Sequence, residues 1–134
     1  MKYLVSFCFL GLLLISGCKK TEGLGGRASV SGILNEEIWR VGTVGLENQG
    51  VFPAQAEDIY VVYGDDTGMF HDKIETSYNG EFQIDYLRPG NYSVFVYSDC
   101  WSCQSGTDSV VKVDFNIPKK NTNLDLGTIL ILNK

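Results

Sequence analysis

From residue 27 onward, hydrophobic and polar positions alternate with a period of two, the pattern of strands that bury one face. Residues 29–34 predict a first strand, and 38–41 continue or follow it across Asn35-Glu36-Glu37. Residues 42–56 hold three glycines, one proline and scattered apolar positions, which predicts a long loop with at most a short edge strand at 50–52. Residues 57–63 place Ile59, Tyr60, Val61, Val62 and Tyr63 in succession, apolar on both faces as in a central strand. Gly64-Asp65-Asp66-Thr67-Gly68 is turn chemistry, 70–77 predicts a strand, and Asn79-Gly80 predicts a tight hairpin into the next one. In 81–87 the alternation directs Phe82, Ile84 and Tyr86 to the core. After the turn Arg88-Pro89-Gly90-Asn91, residues 92–97 put Tyr92, Val94 and Val96 on one face and Phe95 and Tyr97 on the other. Residues 111–117 alternate again, Pro118-Lys119-Lys120-Asn121 breaks them, and 126–132 form the last strand. No amphipathic helix is predicted, so the expectation is an all-β, single, seven-stranded antiparallel sandwich.

Composition agrees with one globular domain: 134 residues, 44% hydrophobic and 12% aromatic, with three prolines, exclude disorder, collagen and coiled coil. The net charge of −5 removes the attraction that a phosphate backbone needs, so nucleic acid is not an expected partner.

The first residues depart from the strand pattern. Lys2 gives a positive start and residues 4–15 an apolar run too short to span a bilayer, so 1–17 reads as an export signal. It ends in Ile15-Ser16-Gly17-Cys18, which resembles the lipobox of bacterial lipoproteins. The resemblance implies that the Cys18 thiol takes diacylglycerol and becomes the new N-terminus, anchoring the protein to the outer membrane. Residues 18–26 then read as a polar, glycine-rich tether and 27–134 as the domain. Lys19-Lys20 precede the single acid Glu22, unlike the acidic cluster common in surface-exported lipoproteins of the Bacteroidetes, so the leaflet stays open.

Thr76, Gly80-Glu81-Phe82 and Leu87-Arg88-Pro89-Gly90-Asn91-Tyr92-Ser93-Val94 together resemble the signature of carboxypeptidase regulatory-like domains. That resemblance implies a prealbumin-like sandwich, related in form to Cna-B modules and similar to those of many small Bacteroidetes lipoproteins. Its motif residues are structural, so it implies a fold and not a reaction. The isopeptide bond of some Cna-B-like relatives is not expected here, because no lysine stands in the early strands.

Candidate chemistry is sparse. Cys100-Trp101-Ser102-Cys103 has C-x-x-C spacing, but it follows a strand rather than opening a helix, and only His71 could add a nitrogen ligand. A local disulfide between Cys100 and Cys103 is the favoured reading; free thiols, metal binding or redox work are the alternatives. Asp65, Asp66 and Asp72 do not have EF-hand spacing and read as a solvated turn. One histidine without a nucleophile motif gives no catalytic constellation, so no enzyme activity, metal or cofactor is expected. The aromatic set Trp39, Phe52, Tyr60, Tyr63, Phe95, Tyr97 and Trp101 exceeds what one core face can hold. Trp101, Tyr97 and Phe95 are therefore the candidate binding residues. The expected function is a lipid-anchored module docking on another envelope protein; the alternative is a glycan-binding accessory lipoprotein. Coplanar exposed rings would favour sugar, and an apolar patch a protein.

Overall fold

The structure, a computed structural model, describes residues 21–65, 69–104 and 107–134. The expected signal segment 1–17, Cys18, Asp66 and part of the loop after Cys103 lie outside these residues.

Eight strands and no helix form among the described residues: β1 (Leu24–Val41), β2 (Leu46–Pro53), β3 (Asp58–Tyr63), β4 (Asp72–Glu75), β5 (Glu81–Leu87), β6 (Gly90–Ser98), β7 (Ser109–Ile117) and β8 (Asn123–Asn133). One sheet is organised by β1, which pairs with β5 over its first half, with β2 over its second half, and with β8. The other runs β4-β3-β6-β7 and is antiparallel throughout. The sheets share one core, in which Val30, Leu34, Phe82 and Ile84 of the first meet Ile59, Val61, Tyr92 and Val94 of the second.

Several expectations need correction. The strand count is eight rather than seven, because β2 fills part of the segment expected to be a loop. Nearly all of β2 is exposed, so it has no buried face to imprint a period on its sequence. Its hairpin with β1 closes where the Gly42 amide donates to the Gly45 carbonyl at 2.6 Å. The β1–β8 pair is parallel, so the first sheet is mixed rather than wholly antiparallel. Asn79-Gly80 does not join two strands of one sheet: β4 and β5 belong to different sheets, and the turn carries the chain across the core. Glycine is needed there, since Gly80 has φ +73° and a Cβ would lie 2.2 Å from the Leu34 carbonyl oxygen.

Tyr86 does not face the core. Its backbone takes φ +61°, the side chain turns out to 71% exposure, and Leu87 fills the interior in its place. A register irregularity opposite, between Ala28 and Val30, accommodates the extra residue, as a β-bulge does.

The expected tether boundary also moves. β1 starts at Leu24, and Gly23 is buried. The Gly23 amide donates to the Tyr92 hydroxyl at 2.9 Å, and that hydroxyl donates to the Arg88 carbonyl at 2.8 Å. At the other crossing between sheets, the buried Thr76 hydroxyl donates to the Ala54 carbonyl at 2.7 Å and accepts the Glu57 amide at 2.9 Å. These two hubs fix opposite ends of the molecule: Gly23, Arg88 and Gly64 at one, Ser98, Asp99 and the end of β8 at the other.

Candidate functional site

Alternation in β3 and β6 sends Ile59, Val61, Tyr92, Val94 and Val96 inward and leaves Tyr60, Phe95 and Tyr97 on the outer face of the second sheet. Register then aligns them. Lys73, Tyr60, Phe95 and Lys112 form one row across β4, β3, β6 and β7. Tyr60 and Phe95 stack with centroids 5.0 Å apart and planes 13° apart. Tyr97 meets Tyr60 edge-on at 5.4 Å and Phe95 at 5.9 Å. Phe70, in the loop before β4, packs on Tyr60 at 4.8 Å with planes 64° apart. The result is a four-ring cluster whose outer members are open to solvent, Phe70 at 45% and Tyr97 at 50%.

The cluster is bordered by charge. Lys73 Nζ contacts Asp58 Oδ2 at 2.9 Å, and that hydrogen bond is the main reason the Lys73 ammonium lies above its ordinary pKa. Glu57 is raised above the usual carboxylate value, first by burial and then by the charges of Glu36 and Asp58. A cleft of about 320 Å³ is lined by Glu57, Asp58, Tyr60, Lys73, Glu75 and Tyr97. A second, of about 270 Å³, has Glu57 and Tyr97 in common with it and adds Asp99, Asp108, Leu132 and Asn133.

The expected binding residues separate into two places. Phe95 and Tyr97 join Tyr60 and Phe70, whereas Trp101 packs edge-on against Trp39, with centroids 5.1 Å apart. Lys134 Nζ lies 5.3 Å above the Trp101 ring and also donates to the Cys100 carbonyl. Cys100 and Cys103 are joined as a disulfide with Cα atoms 5.4 Å apart, and Trp101 stays 55% exposed. Phe70 was not singled out by sequence, since the turn before it hides which face its side chain reaches.

His71 has a structural position: its ring stacks on Tyr63 at 4.9 Å and its Nδ1 accepts the Tyr63 amide at 3.1 Å. No group of three or more His, Cys, Asp or Glu side chains among the described residues is placed to hold a metal ion. A larger open depression of about 510 Å³ lies at the opposite end, beside Gly64, Asn91, Tyr92 and Lys112. Its polar groups serve one another: Asn116 donates to Asn91 at 2.7 Å, and Lys112 pairs with Asp114 at 2.9 Å.

No family model and no curated protein matches the chain. Among solved structures, a Pseudomonas aeruginosa protein provisionally described as carbohydrate binding is similar at 14% identity and a TM-score of 0.44, over 84% of this chain and 91% of its own. (S)-Allantoin synthase is similar at 14% identity and a TM-score of 0.44, over 79% of this chain and 42% of its own. Likeness this low says nothing of ligand or reaction.

Proposed function

We propose that this chain is a lipid-anchored, non-enzymatic module of a bacterial outer envelope, held through Cys18, that docks on another envelope protein. The reading includes membership of the carboxypeptidase regulatory-like sandwiches, in which Gly80, Phe82 and Tyr92 keep the structural roles the motif implies. The observation that carries the docking function is the ring cluster of Tyr60, Phe70, Phe95 and Tyr97. Tyr60 and Phe95 stack on each other while Phe70 and Tyr97 meet them edge-on, so the two exposed rings do not extend the stacked pair into a coplanar shelf for a sugar. They do leave an apolar, sequence-distant patch on an otherwise polar sheet, which is the composition of a protein hot spot.

The test places a photo-cross-linking amino acid at Tyr97 in cells, with the more exposed Tyr86 of the other sheet as control. A discrete protein adduct from position 97 and none from 86 supports docking. Retardation of the protein by immobilised polysaccharide, lost on Tyr97→Ser, would replace it with the glycan-binding alternative.

A further inference from the structure

We infer that the docked partner presents an extended basic segment whose arginine or lysine side chains enter the two clefts flanking Tyr97. The inference rests on the docking function proposed above and specifies its partner. Glu57 and Tyr97 line both clefts. Their walls carry Glu57, Asp58, Glu75, Asp99 and Asp108 against one cation, Lys73, which Asp58 already holds. Asp99 accepts the Lys134 backbone amide at 2.6 Å, but the Lys134 ammonium lies over Trp101 and the Cys100 carbonyl and adds no positive charge to the clefts. Glu57 is harder to ionise, first through burial and then through the charges of Glu36 and Asp58.

The half-exposed Tyr97 ring beside Glu57, Glu75 and Asp108 matches a guanidinium, which packs on a ring while its N–H groups reach an acid. A charged segment also gains on approach to a chain whose net charge is −5. A neutral glycan could hydrogen-bond these carboxylates but would leave their charge uncompensated, and an acidic partner would be repelled by them.

The experiment titrates the full chain, extracted in non-ionic detergent, with fluorescent hexa-arginine and hexa-glutamate peptides. Hexa-arginine is expected to bind and hexa-glutamate not to. The double variant Glu75→Gln/Asp108→Asn is expected to weaken hexa-arginine at least tenfold, and Tyr97→Ser at least fivefold, with unchanged melting temperatures. Glu47→Gln/Glu81→Gln removes the same charge from the first sheet and should shift affinity less than twofold. Absence of hexa-arginine binding, or an equal loss in both double variants, overturns the inference. If position 97 still cross-links a protein in membranes after Glu75→Gln/Asp108→Asn, docking stands and the basic segment falls. If position 97 cross-links no protein at all, the docking function falls first.

Discussion

Tyr92 holds Gly23 across 69 positions of sequence, its hydroxyl taking the Gly23 amide at 2.9 Å inside the protein. One side chain thereby closes the end of the core and fixes where the N-terminal segment leaves it. Tyr92→Phe keeps the ring but orphans the buried amide and the Arg88 carbonyl, so a loss of about 1 to 3 kcal/mol is expected in chemical denaturation. Hydrogen exchange should locate the damage, with the Gly23 amide accelerating while the β3 amides do not.

Phe82 and Tyr86 occupy alternate positions of one strand and should behave oppositely. Phe82→Ala removes a buried ring and is expected to cost about 3 to 5 kcal/mol. Tyr86→Ala removes an exposed one and should cost less than about 0.5 kcal/mol. Similar losses from both would mean that the bulge at Tyr86 is absent in solution.

Glu57 gives a pH dependence with a definite sign. Its folded-state pKa is raised above the ordinary 4.5, so ionisation disfavours the fold once pH exceeds the folded value. Glu57→Gln should therefore be more stable than wild type at neutral pH, by less than about 1 kcal/mol. The gain should shrink as pH falls through the raised value and vanish below about 4.5. Equal stabilities from pH 3 to 8 would contradict the burial and charge crowding described.

Trp101 packs on Trp39 outside the core, and the disulfide restrains its loop. Reduction of Cys100 and Cys103 should change tryptophan emission while far-ultraviolet circular dichroism stays the same. Trp101→Ala should remove that change and cost about 0.5 to 1.5 kcal/mol, the size of an edge-on aromatic pair. An emission spectrum indifferent to reduction would separate the disulfide from the tryptophan contact.

Cys18→Ala should abolish acylation and leave the protein uncleaved or released from membranes. Metabolic labelling with an alkynyl fatty acid checks this directly; label retained on the variant would contradict anchoring at Cys18.

Much of the strand order was legible because burial leaves a period. Val94 and Val96 against Phe95 and Tyr97 could be assigned to opposite faces from sequence alone. What was not legible depends on pairing. That Phe95 stacks on Tyr60 requires the β3–β6 register, and that Trp101 leaves this group for Trp39 requires knowing where β1 ends. The exposed β2 and Tyr86 fail for different reasons: β2 writes no apolar alternation, while Tyr86 continues the one of Phe82 and Ile84 that its positive φ breaks.

The opposed ends of β6 set a height. Its nine residues run from Gly90, beside the Gly23 hub, to Ser98, beside the acidic clefts, a span of about 30 Å at roughly 3.3 Å per residue. On the anchoring proposed above, the three steps from Cys18 to Thr21 span at most about 10 Å of extended chain. The proposed attachment point thus lies at the Tyr92 end of β6 and the ring of Tyr97 at the other, so lipid anchor and docking patch are separated by the length of the strand.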